Sequence, residues 1–98
     1  MNYEEVSDGE DRIQISCEGS IENSNDFQFL ETYLNRDLNV DLDLTGLSYV
    51  NSCGFGAMVE ESMNFADKGL ELTIKGLKPT IRKTLALLGA EELLHFVD

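Results

Sequence analysis

The residues most able to do chemistry sit together in the run Val50-Asn51-Ser52-Cys53-Gly54-Phe55-Gly56. A hydroxyl and a thiol stand side by side there, ahead of two closely spaced glycines. Apolar residues then recur at Phe55, Met58, Val59, Met63 and Ala66, the spacing of one helical face. The run therefore joins a strand end to a helix start. Asn51, Ser52 or Cys53 can cap that helix by accepting its unpaired N–H groups. A thiol at a helix start is a candidate for reactivity, and glycines without Cβ atoms let another backbone come close.

Catalysis by such a nucleophile needs a base beside it. The sole histidine, His95, stands next to Phe96 near the end of the chain, with nothing in motif spacing to pair with it. Asp41 and Asp43 lie two apart and so share one face of a strand. They could be read as an acid/base pair, but Val40, Leu42 and Leu44 alternate with them as a core face, which makes the aspartates the solvated face. Cys17 and Cys53 are far apart and form no CxxC, so with one histidine they fall short of the four ligands of a structural zinc. No phosphate-binding glycine loop with lysine and no GxGxxG is present. We therefore expect a protein that is not an enzyme, with no catalytic residue, no cofactor and no metal.

The scaffold that positions the run is legible from periodicity. The chain has 98 residues, 42% of them apolar and 27% charged, in the range of one globular domain spanning residues 1–98. Residues 3–6 fit a short edge strand. Arg12 to Glu18 alternates polar and apolar as a half-buried strand, punctuated by Gly19-Ser20. Phe27, Leu30 and Leu34 place a helix over residues 25–36. Asn39 to Leu44 alternates again and Thr45-Gly46 closes it. The helix after Gly54 runs through Asp67, with Gly69 at its C-terminal cap. Leu70 to Ile74 reads as a strand. Pro79 suits the first turn of a helix whose inner stripe is Ile81, Leu85 and Leu88 and which Gly89 stops. Leu93 to Val97 completes the order β-β-α-β-α-β-α-β. The fold class is α/β: a mixed, mostly parallel sheet of about four or five strands with about three helices packed on it.

Charge narrows the partners. The net charge is −12. Residues 1–62 carry all of it, with Arg12 and Arg36 as their only bases, while residues 63–98 are balanced. Nucleic-acid binding needs a basic footprint and is not expected; an acidic face favours a basic protein partner. The N-terminal MNYEEVSDGEDR lacks the basic and apolar regions of a signal peptide, and no apolar run nears the roughly 20 residues of a membrane span. The expected setting is the cytoplasm, without membrane insertion and with Cys17 and Cys53 as free thiols.

The run Leu42-Asp43-Leu44-Thr45-Gly46-Leu47-Ser48-Tyr49-Val50-Asn51-Ser52-Cys53-Gly54-Phe55-Gly56 resembles the signature of STAS domains, the bacterial anti-sigma factor antagonists and related domains of sulfate transporters. The resemblance continues through Lys68-Gly69-Leu70-Glu71-Leu72, Pro79-Thr80-Ile81-Arg82-Lys83 and Leu87-Leu88-Gly89, covering residues 10–97. It implies a STAS-like fold and a non-catalytic switch that regulates transcription by docking a protein. In the family, the second serine of an Asp-Ser-Ser-Gly-Leu-Gly turn is phosphorylated by an anti-sigma factor that is also a kinase. Here Asn51 stands for the aspartate and Cys53 for that serine. Ser52 matches the first serine and is the remaining candidate for phosphorylation.

The resemblance places the partner-binding residues at Asn51, Ser52, Cys53, Gly54, Phe55 and Gly56, with Glu22, Asn23 and Ser24 from the neighbouring loop. The partner it implies is an anti-sigma factor or serine-kinase-like protein. An alternative is the STAS subunit of a bacterial phospholipid-type ABC transport complex, which stabilises the ATPase. A third reading makes Cys53 a redox-sensitive switch. A homodimer is a further option, and Gly54→Arg is expected to abolish docking while the fold survives.

Overall fold

The computed structural model describes residues 1–89 and 94–96. Five strands form one sheet: β1 (Asn2–Asp8), β2 (Arg12–Ile21), β3 (Asn39–Val50), β4 (Leu72–Lys75) and β5 (His95–Phe96). They lie side by side in chain order. β1 runs antiparallel to β2, and the remaining neighbours are parallel. A 3-10 turn (Ser24–Phe27) and α1 (Leu30–Asn35) link β2 to β3, α2 (Ser52–Asp67) links β3 to β4, and α3 (Pro79–Leu87) follows β4. The mixed, mostly parallel sheet and three helices of the expected order are all present. Parallel neighbours need crossover connections, and the helices supply them.

Alternation decides which face of the sheet is covered. Ile13, Ile15, Val40, Leu42, Leu44 and Ile74 are shut away from solvent and meet Phe27, Leu30, Met58, Phe65 and Leu85 from the helical layer. Each such side chain contributes roughly 1.5–3 kcal/mol by leaving water. Cys17 belongs to this layer, and burial, with Asp43 adding to it, pushes its thiol up to about 12. The opposite face is polar. There Arg12 meets Asp41 at 2.6 Å and Glu71 at 3.3 Å, and the Thr73 hydroxyl also donates to Asp41.

Four elements differ from expectation, each for a local reason. Thr45-Gly46 does not close β3, which continues to Val50. A Cβ on Gly46 would stand 2.9 Å from the Cys17 carbonyl oxygen, so this glycine serves close approach between strands rather than a turn. Gly19, at φ +100°, likewise lets β2 bulge and carry on to Ile21. The helix expected over 25–36 is divided, because the Asp26 carboxylate accepts the Glu22 and Asn23 N–H groups at 2.9 and 3.1 Å and sets a tight turn first. Leu88 is 54% exposed rather than part of an inner stripe, since α3 ends one residue before it. Leu93 and Val97 lie outside the described residues.

Candidate functional site

Asn51 organises the turn that enters α2. Its backbone is extended, at φ −92°, which ends β3 and opens the helix. Its side-chain oxygen accepts the Gly54 N–H at 2.8 Å, filling one of the helix's unpaired donors. Its amide nitrogen donates to the Glu22 carbonyl at 2.8 Å, and its backbone N–H donates to the Ile21 carbonyl at 3.1 Å. These bonds fasten the loop after β2 to the start of α2. The two segments singled out from sequence, 22–24 and 51–56, are thus brought to one place. The amide explains itself: an aspartate could cap Gly54 but could not donate to Glu22.

Within that place the residues divide. Glu22, Asn23, Ser52, Cys53 and Gly56 are exposed, and Asn51 is half-buried. Ser24 opens the 3-10 turn beside them. Gly54 and Phe55 are buried, so they shape the turn from beneath, and Phe55 also reaches the floor of the groove described next. A Cβ on Gly54 would lie 2.7 Å from Ile21 Cγ2 and 2.9 Å from Val50 Cγ1. The expectation that Gly54→Arg spares the fold is therefore corrected, because any side chain there collides with β2 and β3. Gly56 is the opposite case, with no described residue within 4 Å of where its Cβ would sit.

Beside the turn runs an open groove of about 450 Å³ between the end of β3 and α3, lined by Tyr49, Ser52, Phe55, Ile81, Thr84 and Leu88 among others. Tyr49 and Leu88 are its exposed apolar walls, at 52% and 54%. Periodicity alone missed this groove, because it placed Leu88 on the inner stripe of α3 instead of on the groove wall.

The other chemical candidates are occupied or elsewhere. Asp41 is held by Arg12 and Thr73. Asp43 accepts the Thr45 hydroxyl at 2.6 Å and the Thr45 N–H at 3.0 Å, and the hydroxyl bond above all draws its carboxyl below the ordinary range. Thr73 pairs with both His95 and Asp41, so His95 is level with the start of β3 while the turn follows its far end. Among the described residues, no three of His, Cys, Asp and Glu are placed to hold a metal ion. Cys17 and Cys53 are both free thiols, the first buried and the second exposed. No described helix is long and apolar enough to cross a membrane.

The family model of the STAS domain matches residues 9–98. The chain belongs to the STAS family. No curated protein matches its sequence. Solved structures share the STAS fold at low identity. The anti-sigma factor antagonist SpoIIAA in its unphosphorylated form superposes with a TM-score of 0.73 at 13% identity, covering 99% of this chain and 88% of that one. A Thermotoga maritima protein provisionally assigned as an anti-sigma factor antagonist gives 0.79 at 17% identity, covering 99% and 85%. RsbS of Moorella thermoacetica, as a serine-to-glutamate variant, gives 0.72 at 20% identity, covering 98% and 84%.

Proposed function

We propose that this STAS domain is a regulatory docking module whose contact surface is the exposed part of the 22–24 loop and the 51–56 turn, and whose partner is an anti-sigma factor or kinase-like protein. One observation carries the reading. A glycine inside a helix costs roughly 0.5–1 kcal/mol relative to alanine. Gly54 repays that by admitting Ile21 and Val50, but Gly56 faces open space among the described residues. A bare helical position beside an exposed Ser52 and Cys53 serves a surface that approaches from outside.

Ser52 supplies the means of release. It is the first residue of α2 and exposed, and a phosphate there would add about −1.5 to −2 charges where the partner seats. Gly56→Arg tests the docking surface. The variant should fold normally and gain up to about 1 kcal/mol, since arginine is a good helix former and no described residue blocks its Cβ. Capture of a kinase-like anti-sigma factor should fall about 100-fold or more, roughly 3 kcal/mol at tenfold per 1.4 kcal/mol. Undiminished capture would refute the reading. Recovery of an ABC ATPase instead of a kinase would move the same surface to a transport complex.

A further inference from the structure

A second polar feature lies along α2 from the turn. A cleft of about 220 Å³ opens between the 3-10 turn, α1 and α2, walled by Asn25, Gln28, Glu31, Ala57, Glu60 and Glu61. That is room for several waters at roughly 30 Å³ each. Glu31 and Glu60 are exposed, but Glu61 is only 8% exposed. Its Oε2 is closed off from solvent and has no hydrogen-bond partner among the described residues. Burial foremost, then the neighbouring charges of Glu31 and Glu60, push its carboxyl up to about 7. Buried carboxylates are ordinarily paired, because desolvating an unpaired one is costly. Here the charged neighbours, Glu31 on the facing α1 and Glu60 on α2 itself, are further acids, while Asn25 and Gln28 add amides to the wall.

We propose that this cleft receives an arginine side chain of the docked partner, its guanidinium set against the carboxylates of Glu61, Glu60 and Glu31. It rests on the reading that this chain docks a protein, and it adds a second anchor to that surface. The chemistry selects the occupant. Three carboxylates call for a cation. A compact metal ion needs several oxygens converging at about 2.0–2.6 Å, and no such group of three is present among the described residues. A guanidinium spreads its charge and five donors over a plane, which suits carboxylates set apart around a slot. Position argues for a side chain rather than a free cation. Ala57 and Glu60 continue the helical ridge of Cys53 and Gly56 at three- and four-residue steps, and Asn25 continues the 22–24 loop. A partner seated on the turn would lie directly over the slot.

The test uses the full chain and needs no partner. Nα-acetyl-arginine amide is titrated at constant ionic strength while amide NMR signals are followed, with the citrulline analogue as an uncharged control of the same shape. Saturable shifts are expected at Asn25, Gln28, Glu31, Ala57, Glu60 and Glu61, at least tenfold weaker in Glu61→Gln and absent with citrulline. An NMR fingerprint of Glu61→Gln that matches the parent chain elsewhere confirms that the variant folds; Glu60→Gln serves if it does not. Shifts spread evenly over the acidic surface, or equal in the variants, or absent, would overturn the proposal. The arginine response does not involve the 51–56 turn. Its loss with Gly56-dependent capture intact would remove the slot alone, and the reverse result would remove the docking surface alone.

Discussion

At the scale of single residues, Glu61 makes the sharpest demand. Removing a buried charge from a paired network strands its partner, but Glu61 Oε2 has no partner among the described residues to strand. The carboxyl sits near 7 in the folded chain against an ordinary value of 4.5. Between those values the folded state holds a proton that the unfolded chain has released. Stability must therefore fall as pH rises from about 4.5 to about 7, then level off. The loss is on the order of 3 kcal/mol at 1.36 kcal/mol per pH unit. Glu31 on α1 and Glu60 on α2 face the group and steepen the fall while they are ionised. Glu61→Gln should abolish this part of the pH dependence and leave the chain more stable than the parent at pH 8. Urea denaturation of both chains from pH 5 to 8 measures the difference, in which the other carboxylates cancel. A parent curve parallel to the variant's would mean that Glu61 is not held protonated.

At the scale of elements, the site depends on how β3 hands over to α2, and Asn51 performs that hand-over with an acceptor toward Gly54 and a donor toward Glu22. Asn51→Asp keeps the acceptor but sets two oxygens against each other at Glu22. The expected cost is about 1–2 kcal/mol, a fall of about 4–8 °C in melting temperature for each kcal/mol in a chain of this size. A thermal melt unchanged from the parent would show that the bond to Glu22 carries no weight. The same elements show what sequence can and cannot convey. Alternation along Val40, Leu42 and Leu44 and the apolar stripe of α2 announced both elements, because a half-buried strand and an amphipathic helix must show those periods. Gly19 and Gly46 were misleading, since glycine as punctuation and glycine as close approach look alike until the facing strand is in place. The turn at 51–56 was legible by its capping residue and its family resemblance. The cleft was legible in principle: Glu61 falls three positions after Met58 and four before Phe65, on the buried side of α2. A carboxylate on an apolar stripe was the signal, masked by the exposed Glu60 beside it.

At the scale of the whole molecule, the sheet and the charge divide the labour. One sheet face is closed by helices. The other faces solvent with a polar network of Arg12, Asp41, Thr73 and Glu71, while the turn, the groove and the cleft lie at the ends and flanks of the helical layer. The net charge of −12 arises wholly within residues 1–62, the part that contributes the 22–24 loop, the start of α2 and all three cleft glutamates. A field of one sign over a docking surface acts on a basic partner before contact, and it acts through distances that salt shortens. The Debye length falls from about 30 Å at 0.01 M salt to about 8 Å at 0.15 M. Association with the captured partner should therefore slow by about tenfold or more across that range. On the proposed docking surface dissociation should change much less, because short-range contacts at the bare helix face of Gly56 would be little screened by salt. Stopped-flow measurement at several ionic strengths separates the two rates. A salt-independent association rate would reduce the acidity to a solubility device and leave docking to shape alone.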